Sequence, residues 1–168
     1  MVNSVNEEGT KCETIFPLIA GTSWEVIGLA CDQDGIPADP VKKADIAKRI
    51  IDKADKYGVA LNQLHIDPCV MALATMPSAM EDFCRCIEDI HAYAPEVNIS
   101  FEMPARKYVN MNCMAYAIKA GLDSAIMDPC SQDMMGTIYA CEALCGRDRG
   151  GRKYNRAYRQ GKFGQKKL

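Results

Sequence analysis

WEVIGLACDQDGIPADPVKKADIAKRIIDKADKYG, residues 24–58, is the stretch that decides the fold class. Trp24 to Ala30 is a nearly continuous, β-branched apolar run, the pattern of a strand buried on both faces. Cys31 to Pro37 follows as a loop, broken by Gly35 and Pro37. The period then changes: Ile46, Ile50, Ala54 and Tyr57 recur at helical spacing with Lys, Arg and Asp between them. This predicts a helix from Pro40 to Tyr57, stopped by Gly58. The stretch is one strand–loop–helix unit.

The same alternation extends in both directions. Downstream, Leu64-His65-Ile66-Asp67-Pro68 reads as a short strand running into a loop, and Ser78 as the N-cap of a helix to Tyr93. Tyr108 to Ala120 is a further helix stopped by Gly121. Ser124 to Met127 is a short strand ending in Asp128-Pro129, and Ser131 to Cys145 a helix stopped by Gly146. Upstream, Val2 to Val5 is expected as a strand and Lys11 to Ile19 as a helix. Such alternation implies right-handed crossovers and a parallel sheet. Four or five units are present. A closed barrel needs eight, whereas an open doubly wound sheet needs no more than these, so the pattern alone leaves both open.

Composition narrows the classes. The chain has 168 residues, 48% hydrophobic and 7% aromatic, so its core rests on aliphatic, Met and Cys side chains. A formal net charge of -2 gives no global signal for nucleic acid or membrane. From Arg147 onward, however, nine Lys or Arg face one acid, Asp148. Such a segment suits phosphates or an acidic partner, and equally a solvated terminus. Aromatic–basic interleaving on a strand and a recognition helix, the marks of a nucleic-acid binder, are both missing from it. There is no apolar run of roughly 18 residues and no secretory leader at Met1, so a cytoplasmic protein is expected. Nine cysteines, an odd number without a secretion signal, read as small buried hydrophobes rather than a disulfide framework. The pairs Cys84/Cys86 and Cys141/Cys145 lack the spacing of a structural zinc site.

In parallel α/β folds the ligand lies at the carboxyl ends of the strands. The residues just past the apolar runs are Asn3, Asp32, Asp67, Asn98 and Asp128, all Asp or Asn. Asp accepts from paired N–H donors, and Asn offers a donor and an acceptor. A pterin edge carries the matching amino group, ring N–H and carbonyl. Each of these residues also suits the bland role of capping the helix that follows. No glycine-rich phosphate loop is present.

These strand ends carry a family resemblance over residues 2–164. Asn3-Ser4-Val5 followed by Gly9 resembles the strand-end Asn of the pterin-binding methyltransferases. His65-Ile66-Asp67-Pro68 resembles their Asp-Pro strand end. Asn98-Ile99-Ser100-Phe101 with Pro104 and Arg106 is similar to their Ser-Asn-x-Ser segment ending in Pro-x-Arg. Gly121 to Pro129 is similar to their last barrel strand. The pattern is that of the methyltetrahydrofolate:corrinoid methyltransferases, in the branch serving corrinoid-dependent methylamine and betaine demethylation.

The resemblance implies a partial (β/α)8 TIM barrel, an α/β fold holding roughly strands 4–8 with their helices. Residues 1–146 would be the C-terminal portion of the pterin-binding barrel and residues 147–168 a basic tail. It also implies methyl transfer between N5 of methyltetrahydrofolate and the cobalt of a corrinoid (cobalamin) carried by a partner protein. Asn3 and Asp67 would bond the pterin ring, Asn98 would lie near N5 as the catalytic group, and Arg106 would contact the folate or support its loop; no protein-bound metal is implied. Two departures stand out. The first three βα units are not in this sequence, which implies a homodimer or association with a missing N-terminal half. The strand before Asn98 is shortened to little more than Val97, and Glu102 replaces a small residue. The competing readings are a non-catalytic remnant that at most binds folate or a corrinoid protein and, further off, a cysteine-based metal or redox module.

Overall fold

A computed structural model describes residues 1–71, 76–102 and 107–164. The order is β1 (Val2–Glu7), α1 (Lys11–Ile19), β2 (Val26–Asp32), α2 (Pro40–Lys56), β3 (Leu64–Asp67), α3 (Ala79–Tyr93), β4 (Asn98–Ile99), α4 (Lys107–Ala120), α5 (Gln132–Leu144) and α6 (Arg152–Arg159). The chain divides into two compact units. One holds β1–β4, α1–α3 and residues 121–126; the other holds α4, α5 and α6. Among the described residues no helix is long and apolar enough to cross a membrane.

The four strands pair in parallel in the order β1-β2-β3-β4. Each crossover therefore advances by one place in the same direction. A doubly wound sheet instead reverses about a switch point, so that alternative does not describe these strands.

Helix α2 shows how the sequence builds this layer. Asp39 caps it by accepting from the Val41 N–H at 2.9 Å, and Pro40 sits at its first position. Gly58, at φ 77°, ends it. Its stripe of Ala44, Ile46, Ala47, Ile50, Ile51 and Ala54 is buried. A Cβ on Gly28 would meet Ile50 Cγ2 at 3.0 Å and Ile66 Cδ1 at 3.1 Å. The glycine thus lets α2 lie close on β2 and fixes the helix-facing side of the sheet as Gly28, Leu64 and Ile66. By strand alternation, Ile27, Leu29, His65 and Asp67 face the other way.

Strand β1 continues past Val5 to Glu7, which pairs in register with Asp32 of β2 and whose carboxylate meets Arg49 at 3.3 Å and Lys53 at 2.8 Å on α2. Lys53 also reaches Glu13 on α1 at 2.8 Å, so one ammonium joins three elements. Both carboxylates push its pKa above the ordinary lysine value.

Among the described residues, the strand expected over Ser124 to Met127 is reduced to one parallel bridge, Glu102 with Ile126. The reason lies in two polar side chains. Asp123 Oδ2 accepts the Ile99 N–H at 2.9 Å, and the Ser124 hydroxyl donates to the Ile99 carbonyl at 3.3 Å. The Asp123 carboxylate thus takes the Ile99 N–H that a neighbouring carbonyl would accept, while the backbone N–H groups of Ser124 and Ile126 still bond the Ile99 and Phe101 carbonyls at 2.9 Å.

In the second unit Ser131 caps α5 by accepting from Met134 N–H at 3.4 Å. The stretch expected as a basic tail contains α6. Asp148, buried, accepts from the N–H groups of Lys153 and Tyr154 at 3.0 and 2.9 Å. Phe163 packs against Tyr139 of α5 and Tyr154 and Tyr158 of α6, with ring centroids 5.0 to 6.0 Å apart.

Candidate active site

Asp67 ends β3 and is 7% exposed. Its Oδ1 accepts the Cys69 N–H at 2.8 Å. Cys69 adopts φ 55°, the one positive value at a non-glycine residue among those described, a conformation that costs an L-residue about 1–2 kcal/mol. Burial pushes the Asp67 carboxyl up to about 6. The Cys69 N–H draws it back, Glu102 raises it further, and Lys43 lowers it.

Lys43, in the first turn of α2, is 1% exposed, and its Nζ donates to the Cys69 carbonyl at 2.7 Å. Burial lowers its pKa. Beside this pair Cys31 accepts from Asn6 Nδ2 at 3.3 Å. Burial first, then the neighbouring Asp67, pushes the Cys69 thiol up to about 12, so it is no nucleophile near neutrality. The carboxyl end of the sheet thus presents a buried carboxyl poised near neutrality, able to accept from two N–H donors when ionised.

The sequence-derived residues fall in different places. Asp32, Asp67 and Asp128 each accept the N–H two residues on, from Asp34, Cys69 and Cys130 at 2.8 to 3.0 Å. None of the three caps the helix that follows, since Asp39, Ser78 and Ser131 hold those positions; each closes a local turn instead, and burial separates Asp67: Asp32 is half-buried and Asp128 exposed. Asp32 opens instead on a cleft of about 490 Å³ with Asp34, Asp39, Asp45, Lys42 and Arg49.

Asn3 was expected at a strand end but lies second in β1, exposed and paired in register with Ile27. Asn98 was expected past a strand but begins the two-residue β4, in register with His65. Its Nδ2 donates to the Asn62 carbonyl at 2.8 Å, before β3 begins. Asn3, Ile27, His65 and Asn98 therefore form one row across the sheet. Asp67 sits two residues nearer the carboxyl ends, a rise of roughly 7 Å. Asn3 and Asn98 are three strand spacings apart, roughly 14 Å along the sheet. The sheet places all three on one face without clustering them. Arg106 and Pro104 lie outside the described residues.

Two comparisons bear on what this face serves. No protein-family model matches the chain. A methylcorrinoid:tetrahydrofolate methyltransferase of Eubacterium limosum is 44% identical over 98% of the chain. This likeness supports the resemblance to the methyltetrahydrofolate:corrinoid methyltransferase family. A methionine synthase of Mycobacterium tuberculosis is 32% identical over 75% of the chain, which covers 12% of that protein. The chain spans 64% of the length of the Eubacterium relative.

The strand-end carboxylate on β3 was legible in sequence, while Lys43, Asn6 and Ser100 were not. Lys43 follows Lys42 on a charged helix and reads as solvated. Ser100 is 2% exposed, and its N–H donates to the Ile66 carbonyl at 2.7 Å, which sets it level with Asp67. Asn6 differs from Asn3 only by the true end of β1, Glu7, whose ionic partners Lys53 and Arg49 lie far along the chain.

Proposed function

We propose that this chain is the C-terminal, folate-binding portion of an enzyme that moves a methyl group between the cobalt of a corrinoid and N5 of tetrahydrofolate. In this reading β1–β4 and the Glu102–Ile126 bridge are an arc of a (β/α)8 barrel, roughly strands 4–8. The observation that carries it is the buried Asp67 carboxyl at the end of β3, where a barrel enzyme holds its ligand. The single-direction strand order supports the barrel.

Asp67 accepts the paired N–H donors on the pterin edge. Asn3 contributes from β1, and Arg106 contacts the folate. A corrinoid carried by a partner protein exchanges the methyl group with N5 and keeps the bonding electron pair on cobalt when the methyl leaves. N5 loses a proton on accepting the methyl and must regain one to release it. A neutral amide at N5 supports that exchange by a hydrogen bond that strengthens as charge develops. Asn98 fills this role when its Nδ2 leaves the Asn62 carbonyl. The name of the Eubacterium relative puts the methylcorrinoid as donor and tetrahydrofolate as acceptor, and we assign the same direction here. Catalysis needs the rest of the barrel, from a second copy or from the N-terminal half. Free cysteines throughout suit the reducing cytoplasm.

Calorimetric titration with methyltetrahydrofolate tests the reading. Saturable binding that Asp67→Ala abolishes is expected; a folded chain that binds equally well with and without Asp67 would falsify it. A second reading, a non-catalytic remnant, is favoured by the engagement of Asn98 with Asn62. Folate binding with no methyl exchange with cobalamin, even beside an N-terminal half, selects the remnant.

A further inference from the structure

We propose that Lys43 is the positioning residue of the candidate site: its buried ammonium holds the Cys69 carbonyl and so fixes the turn that presents the Asp67 carboxylate. This rests on the reading of Asp67 as the pterin-binding group.

The geometry is a relay of two bonds through one residue. Lys43 Nζ donates to the Cys69 carbonyl at 2.7 Å, and the Cys69 N–H donates to Asp67 Oδ1 at 2.8 Å. Between them Cys69 sits at φ 55°, so the turn persists only because its surroundings over-determine it. A lysine 1% exposed on a helix otherwise buried through Ala and Ile is costly to keep. A methionine of similar length would fill the space without that cost. Stability therefore gives no reason for an ammonium here, whereas holding a strained turn and its carboxylate does. The ammonium also supplies positive charge beside a carboxyl that burial drives towards neutrality. The other titratable groups facing the pair are Cys31, Cys69, Cys86, Asp82 and Glu102. The thiols stay protonated near neutrality where burial lifts them, Cys69 to about 12 and Cys86 to about 11, so Lys43 is the cation among them.

The test uses the full chain and two variants, Lys43→Met and Lys43→Gln; the second keeps a donor if the first fails to fold. Carboxyl carbon-13 resonances give the titration midpoint of Asp67 without any ligand. Loss of a neighbouring positive charge should raise that midpoint by about half a unit or more, and the Cys69 amide should exchange about tenfold faster. A folded variant with the wild-type midpoint and Cys69 exchange rate overturns the proposal. Titration with methyltetrahydrofolate separates this outcome from the parent reading. The variant should bind several-fold more weakly than wild type at pH 6.5, and the deficit should narrow but persist at pH 8.5, where Asp67 is ionised in both and only the loosened turn still separates them. Wild-type binding that survives Asp67→Ala defeats the parent reading alone, because the Asp67 midpoint still decides the role of Lys43.

Discussion

Burial lifts the Asp67 carboxyl from its ordinary 3.8 to about 6, and that shift has a sign in stability. The folded chain holds the proton more tightly than the unfolded chain. The stabilisation is complete below the unfolded value and is lost as pH rises through the folded one. At about 1.4 kcal/mol per pKa unit, the loss between pH 4 and pH 7 is on the order of 3 kcal/mol. Asp67→Asn keeps an oxygen for the Cys69 N–H and removes the ionisation. It should therefore melt higher than wild type at pH 7.5, by on the order of 1–3 kcal/mol, and match it near pH 4. Thermal melts at the two pH values check this, and equal gains at both would refute the account. The same variant should lose folate binding, because a neutral amide cannot accept from two N–H donors through both of its terminal atoms. A group that binds better when replaced for stability would contradict its assignment; one that stabilises and stops binding fits a site.

At the scale of elements, β4 shows how much work side chains do where a strand is too short to support itself. Two residues make only a two-pair ladder with β3, and Pro95 and Glu96 occupy the space where a longer strand would begin. Asp123 supplies the missing acceptor for the Ile99 N–H and lies 3.6 Å from His91 of α3. Asp123→Ala leaves that N–H without its acceptor, at about 1–3 kcal/mol. Hydrogen exchange should then be faster at Ile99 and Ser124, with α2 unchanged; uniform protection would mean that the strand holds without its latch. This element also marks the limit of the sequence. Helices α1, α2, α3 and α5 were legible to within a residue or two, because apolar period, caps and stop glycines are local signals. The strand ends were not. Asn3 and Asn98 stand next to apolar residues in sequence, but β1 runs on to Glu7, whose ionic partners are Lys53 and Arg49, and β4 begins at Asn98, whose amide bonds Asn62. Those partners lie 36 or more residues away. Asp67 was placed well because its strand ends at Pro68, a local stop.

Over the whole molecule, charge and packing divide along the chain. Seven of the nine basic residues from Arg147 onward fall among the described residues, and the segment folds around an aromatic plug rather than around its charges. Phe163 is 7% exposed and meets three tyrosines. A Cβ on Gly136 would stand 3.2 Å from Phe163 Cβ, so α5 approaches the plug closely because it carries no side chain there. The basic side chains are thereby left on the outside of α6, where Arg152, Arg156 and Arg159 are exposed. The unit formed by α4–α6 then depends on Phe163 as the sheet unit depends on Ile50 and Ile66. Phe163→Ala removes a ring whose burial is worth about 3–5 kcal/mol. Hydrogen exchange should show α5 and α6 opening together while β2, β3 and α2 keep wild-type protection. Loss of protection in the sheet as well would show that the two units fold as one, and protection kept in α6 would show that Asp148 and the helix cap alone hold it.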